Sequence, residues 1–218
     1  MKKTLAAVAV LGAFAGSALA ADVQLYGIVD TGVQYLNGDT DIAGSDAVNR
    51  FSMESGMQSG SRFGFKGTED LGNGLTVGFV LENQFSSDTG ALNSSGLLFH
   101  REASLFLEGA FGKFAMGRMG SINGGVSSWA KYGVISAFGT SWGDYSAQAG
   151  TWAMGAGMWD NVVAYETPNF AGFKVFAQYA MGNSKGDFSE ENESSSDRYY
   201  AIGASYANGP LNLYLAVD

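Results

Sequence analysis

Apolar residues hold the odd positions of Val23, Leu25, Gly27, Val29, Thr31, Val33 and Tyr35 almost throughout, while Gln24, Asp30 and Gln34 stand at even ones. A period of two is the period of a β-strand, and it sorts side chains onto one oily face and one wet face. The pattern returns in Leu75, Val77, Phe79 and Leu81 against Thr76, Glu82 and Gln84. It returns again in Phe173, Val175, Ala177 and Tyr179 against Lys174 and Gln178, and in Leu211, Leu213, Leu215 and Val217 against Asn212 and Tyr214. These runs are about nine to fourteen residues long, the length of tilted membrane-crossing strands rather than of ordinary ones.

The connections decide between a soluble sandwich and a membrane barrel. Short turns are expected at Glu69 to Gly74, Gly109 to Gly112, Thr167 to Gly172 and Ala207 to Pro210. Long links are expected at Asn37 to Ser59, Ser86 to Leu97, Met119 to Gly157 and Gly182 to Asp197. Every second connection is long, which is the asymmetry of an outer-membrane barrel. Pro168 and Pro210 both fall in short turns, where no ladder hydrogen bond is lost. The spacing predicts eight complete strands and a ninth beginning at Leu211, with the alternation still running at Asp218. Unpaired backbone groups are costly in hydrocarbon, so a closed pore is expected to need residues beyond Asp218.

Two lysines, an apolar run from Leu5 to Phe14 and the small residues Ser17 to Ala20 predict a cleavable secretory leader over 1–20, leaving 21–218 as the barrel. Cleavage removes Lys2 and Lys3, so ten of the 12 basic side chains face 21 acidic ones, a balance that excludes general nucleic-acid binding. There is no cysteine, hence no disulfide framework and no thiolate metal site. No apolar run after the leader is long enough for a membrane helix. The 32 glycines and two prolines suit strands, tight turns and close backbone approach.

The segment Ser61-Arg62-Phe63-Gly64-Phe65-Lys66-Gly67-Thr68-Glu69-Asp70-Leu71-Gly72-Asn73-Gly74-Leu75 resembles the general porins of Gram-negative bacteria. Val23 to Gly27, Gly117-Arg118 and Pro168 to Phe173 carry the same resemblance through the chain. It implies an all-β transmembrane antiparallel barrel of about sixteen strands, wide enough for an aqueous channel, of which this chain covers roughly the first half. It further implies a homotrimer in outer-membrane lipid, a C-terminal aromatic residue that this chain lacks, and a third external loop folded into the lumen.

The residues support that last expectation independently. Met119 to Gly157 carries Ile122, Val126, Trp129, Tyr132, Val134, Ile135, Phe138, Trp142, Tyr145 and Trp152, with Lys131 and Asp144 as its charged side chains. A loop so apolar needs a wall to pack against. Val126, Trp129, Ala130, Gly133 and Val134 fall at helical spacing and predict one short helix within it. Gly182 to Asp197, rich in serine and acid, reads as a solvated external loop.

Arg62 and Lys66 lie on the strand face opposite Phe63 and Phe65, which aims both inward. The porin resemblance implies a wall arginine at Arg62; a rim salt bridge is the bland alternative. Arg118, at the exit to the long loop, is a second basic candidate, with loop anchoring as its alternative. Arg101 shares its face with Phe99, Ala103, Leu105 and Leu107, so alternation points it to lipid, where an arginine costs roughly 2–4 kcal/mol. The resemblance implies an inward arginine there, and that reading is adopted. Asp144 is the expected acidic pole across the gap, its alternative being a turn-forming aspartate after Gly143. Asp30, Glu82, Gln84, Lys174 and Gln178 are expected to face the lumen. Met158 and Ala164 stand where related porins often carry arginines, so anion preference does not follow from the resemblance.

His100, the single histidine, has Glu102 and Ser104 on its face, but mixed strands place such neighbours by chance and no triad is implied. Neither a catalytic site nor a cofactor or metal site is expected. The resemblance implies passive diffusion of ions and small hydrophilic solutes through a water-filled channel. A structural or adhesive barrel without significant conductance is the alternative.

Overall fold

The architecture is given by a computed structural model, which describes residues 22–38, 48–124, 126–131, 157–182 and 198–218. The leader over 1–20, the greater part of the third loop with Asp144, and residues 183–197 lie outside the described residues. Those described form eleven strands and no helix: β1 (Asp22–Ile28), β2 (Thr31–Gly38), β3 (Val48–Ser55), β4 (Arg62–Gly72), β5 (Leu75–Gln84), β6 (Glu102–Gly109), β7 (Gly112–Gly120), β8 (Met158–Glu166), β9 (Phe173–Ala180), β10 (Tyr199–Asn208) and β11 (Leu211–Val217). Nine of them build one antiparallel sheet in the order β1-β4-β5-β6-β7-β8-β9-β10-β11, and β2 pairs with β3 in a separate hairpin.

The nine-stranded meander is the one the alternation predicts, but the first long link is not simply a loop. The run from Val23 to Tyr35 breaks at Val29 and Asp30, and β3 occupies much of the stretch from Asn37 to Ser59. Asp30 is the cause. Its amide donates to Ser61 Oγ (3.0 Å), and its carbonyl accepts from Gly56 N (2.9 Å) and Ser87 Oγ (2.7 Å). Its carboxylate accepts from Gln58 N and Ser59 N (2.9 and 2.8 Å). With its backbone groups committed to these partners, the residue leaves the ladder and the chain starts a new sheet.

Register carries one inward face across the main sheet. Gln24 pairs with Lys66, Lys66 with Val80, Val80 with Ser104, and Ser104 with Gly117. Gly117 pairs with Val162, Ala164 with Gln178, Gln178 with Ala201, and Gly203 with Ala216. The opposite face exposes Leu25, Leu105, Met116, Val175, Ile202, Leu213 and Leu215, with Leu215 at 72%. The inward face buries Glu82, Glu102, Ser104 and Gln178. Apolar outside and polar inside is the pattern a bilayer demands. On β9 and β10 the aliphatic stretch is flanked at one end by Phe173 against Tyr206 and at the other by Tyr179 against Tyr200, with ring centroids 4.3 and 5.3 Å apart. Aromatic residues at both margins of an apolar band are what two membrane interfaces select.

Two inward glycines have a packing reason. A Cβ on Gly78 would meet the Phe106 ring and the Gly67 carbonyl, and one on Gly203 would meet the Phe176 ring and the Leu215 carbonyl. Each glycine lets an aromatic ring lie flat across a neighbouring strand. The turn between β4 and β5 runs through Gly72, Asn73 and Gly74, all at positive φ, with Gly72 N donating to Asp70 Oδ1 (2.8 Å). Asparagine is among the few non-glycine residues that tolerate this region.

Candidate functional site

Side chains brought together on the inward face fall into two groups. In the first, Glu82 on β5 is the centre. Its Oε1 accepts from Arg101 Nε at 2.5 Å, and its Oε2 accepts from the Tyr26 hydroxyl at 2.9 Å and lies 3.6 Å from Arg62 Nε. Arg101 also donates to Gln84 Oε1 (2.5 Å), and Arg62 to Ser59 Oγ and the Gly60 carbonyl (2.8 and 3.1 Å). Two guanidinium groups thus share one carboxylate, which leaves this patch with an excess positive charge.

Arg101 resolves the conflict between alternation and resemblance. Strand β6 begins only at Glu102, so Arg101 is not bound by the pleat and reaches Glu82 on the inward face. Its amide meets the Glu82 carbonyl at 3.2 Å, which fixes the approach. Arg118 is placed differently from Arg62 and Arg101. It stands at a bulge where β8 carries an extra residue opposite it, with Asn161 at φ 55. It donates to Asp160 Oδ1 at 2.6 Å and to the His100 carbonyl at 2.7 Å, contacts that tie the end of β7 to its neighbours. His100 is buried, and burial together with Arg118 and Arg101 holds its imidazole below the usual range.

In the second group, the wall holds the beginning of the long loop. Glu102 on β6 is buried and accepts from Ser104 Oγ, Ser128 N and Ser128 Oγ, each at 2.7 Å. Glu166 on β8 accepts from Lys131 of the loop at 2.7 Å and from Lys174 of β9 at 2.6 Å. The Tyr214 hydroxyl of β11 donates to the Ile122 carbonyl and Asn123 Oδ1 (3.3 and 3.1 Å), and Gln178 Nε2 donates to the Gly120 carbonyl (3.1 Å). Ile122 and Trp129 are buried with Phe106, Val162 and Phe176. Among the described residues of the loop, Ile122 and Trp129 therefore meet the inner wall. Its expected helix is not formed at 126–131, where the chain makes turns with one bond from Ala130 N to the Ser127 carbonyl (3.3 Å).

Lys66 stands apart from the Glu82 group, its ammonium 5.4 Å from the centre of the Tyr26 ring. Asp30 serves the joint between β1 and β2 rather than either group. Sequence reasoning did not single out Tyr26, Lys113, Glu166 and Asp160, and it named Glu102 only as a neighbour of His100 and Tyr214 only on the wet face of its strand. Tyr26, Glu102 and Tyr214 were readable, because each sits on the polar side of its own alternation. Asp160 was not, since the bulge beside Asn161 cancels the parity that would have revealed it.

The chain matches the Gram-negative porin family over residues 6–218. It is 39% identical to an outer membrane porin protein of Bordetella pertussis, covering 100% of this chain and 59% of that one. It is 36% identical to outer membrane porin protein 32 of Delftia acidovorans, with the same coverage. Among solved structures it is similar to an anion-selective porin from Comamonas acidovorans, with TM-score 0.66, 32% identity, and 90% of this chain and 57% of that chain covered. The chain thus spans a little over half the length of these relatives.

Proposed function

Because the chain belongs to the Gram-negative porin family of the outer membrane, we propose that it supplies part of the wall and the third loop of a homotrimeric, water-filled barrel for passive diffusion of ions and small hydrophilic solutes. One observation carries this reading: Ile122, Ser128 and Lys131 of the loop are bonded to the inward side of the sheet at Tyr214, Glu102 and Glu166. A loop held there narrows a lumen whose wall presents Arg62 and Arg101 around Glu82. Fixed charges on opposite sides of a narrow aqueous passage order its water, so hydrated and dipolar solutes pass more readily than apolar ones. In this reading Arg62 and Arg101 are the basic side of the constriction and Asp144 its acidic side, with Lys66 and Arg118 further along the basic wall and Glu82, Gln84, Lys174 and Gln178 along the lumen, while Asp30 holds the joint between β1 and β2. No catalytic step or cofactor enters the reading.

The excess positive charge of the Arg62, Arg101 and Glu82 group gives a local preference for anions, in keeping with the anion selectivity for which the Comamonas acidovorans relative is named. The test is conductance of the protein purified from outer membranes, measured in planar bilayers under a salt gradient. Stepwise currents are expected, and Arg62→Ala or Arg101→Ala should move the reversal potential toward cation preference by neutralising the excess charge. Unchanged reversal potential and conductance in both variants would refute the constriction assignment. Folded protein that carries no current would leave a structural barrel instead.

A further inference from the structure

Tyr26 reaches across a whole strand to the carboxylate it serves. Register aligns Tyr26 of β1, Gly64 of β4 and Glu82 of β5 in one row of the inward face, with Arg62 and Lys66 on either side of Gly64. A Cβ on Gly64 would stand 2.8 Å from both Cζ and the hydroxyl oxygen of Tyr26. The glycine therefore leaves the gap through which a β1 side chain crosses β4 and donates to Glu82 Oε2 at 2.9 Å. Glu102, the next residue of the row, takes its own hydrogen bonds from Ser104 and Ser128.

The two arginines beside Glu82 are used unequally. Oε1 accepts from Arg101 Nε at 2.5 Å, whereas Arg62 Nε stays 3.6 Å from Oε2, beyond hydrogen-bond distance. Arg62 Nη1 donates instead to two neutral acceptors, Ser59 Oγ at 2.8 Å and the Gly60 carbonyl at 3.1 Å. A guanidinium bonds a carboxylate more strongly than a neutral oxygen, so its stand-off from Glu82 needs a cause. The terminal torsion of a glutamate is intrinsically broad, and one bond on each oxygen, from Arg101 and from Tyr26, is what fixes this one. We infer that Tyr26 is a positioning residue of the constriction: its hydroxyl pins the Glu82 carboxylate in the orientation that keeps Arg62 from hydrogen-bonding it, and so leaves the Nε edge of that guanidinium open to the passage. Without the hydroxyl, the carboxylate turns and Arg62 closes on it. The consequence for ion passage rests on the channel reading, but the position of Arg62 does not.

The experiment compares the protein purified from outer membranes with its Tyr26→Phe variant, which removes the hydroxyl and retains the ring that lies 5.4 Å from Lys66 Nζ. Arginine is labelled with nitrogen-15, and exchange of each Nε–H with water is followed by NMR in detergent, the Arg62 signal being the one lost in Arg62→Ala. In Tyr26→Phe the Arg62 Nε–H should exchange about tenfold more slowly, because a charge-assisted bond to Glu82 forms. Loosened packing alone would speed it. In planar bilayers under a salt gradient, Tyr26→Phe should lower the anion-over-cation permeability ratio about twofold, less than Arg62→Ala does, since the charge stays in place. In an Arg62→Ala background the same substitution should change nothing. Unchanged or faster exchange at Arg62, an unchanged permeability ratio, or a shift that persists without Arg62 overturns the proposal. Slower exchange in a folded preparation whose wild type carries no current would sink the channel reading and leave the hold of Tyr26 on Glu82 and Arg62 standing.

Discussion

Replacing Glu102 measures how firmly the long loop is held. Its carboxylate takes three hydrogen bonds at 2.7 Å, two of them from Ser128 across the gap between wall and loop. A hydrogen bond to a charged group contributes about 1.5–3 kcal/mol. Glu102→Ala removes both cross-gap bonds and at the same time relieves a buried carboxylate, so the low end of each, about 3 kcal/mol together, is the reasonable loss. Glu102→Gln behaves differently. Its carbonyl can take the Ser128 amide while its NH2 faces the Ser104 and Ser128 hydroxyls, which rotate to accept. Only charge assistance is lost, about 1 kcal/mol. Hydrogen exchange of the amides in 126–131, followed by mass spectrometry on the folded protein in detergent, reads the opening equilibrium. At about 1.4 kcal/mol per factor of ten, protection should fall about 150-fold in Glu102→Ala and about fivefold in Glu102→Gln. Equal protection in wild type and Glu102→Ala, or a larger effect in Glu102→Gln than in Glu102→Ala, refutes the latch.

Gly78→Ala places a methyl against the Phe106 ring and the Gly67 carbonyl, so thermal unfolding should show a loss of about 1–3 kcal/mol; a neutral result would mean that the ring moves aside freely. His100 is held below its ordinary pKa of 6.5 by burial and by Arg118 and Arg101, so the unfolded chain binds more protons than the folded one just below that value. Stability from this group is complete above about pH 6.5 and falls as the pH drops toward the lower folded value, by at most about 1.4 kcal/mol per pH unit. His100→Asn should flatten the acid limb of the pH dependence of thermal unfolding, and an unaltered limb would exclude this residue as its source.

How much was readable from the residues depends on whether the two-residue period survives locally. It survives from Leu75 to Gln84 and from Phe173 to Ala180, and there the strands, their faces and the inward positions of Glu82 and Gln178 follow directly. It fails where a single residue binds something other than its ladder partner. Asp30, with its carbonyl and carboxylate taken by the 56–61 turn and Ser87, splits one expected strand into two. The bulge at Arg118 pairs a guanidinium with Asp160 that parity alone does not connect. Arg101 shows the same limit from the other side, since it escapes the pleat by preceding its strand. Periodicity describes the ladder, and these residues are the ones that leave it.

Tyr214 has a consequence for the order in which the molecule is assembled. From β5 onward each strand of the main sheet pairs with its predecessor in the chain, so the sheet can grow strand by strand. The Tyr214 hydroxyl, however, meets Ile122 across 92 residues, and every strand from β8 to β11 is laid down in between. The loop emerges early, at the end of β7, yet its seat is finished only when β11 has joined. Until then an apolar segment containing Ile122 and Trp129 waits without its full complement of partners, and this interval is where a nascent chain of this kind is most exposed to aggregation and to proteases.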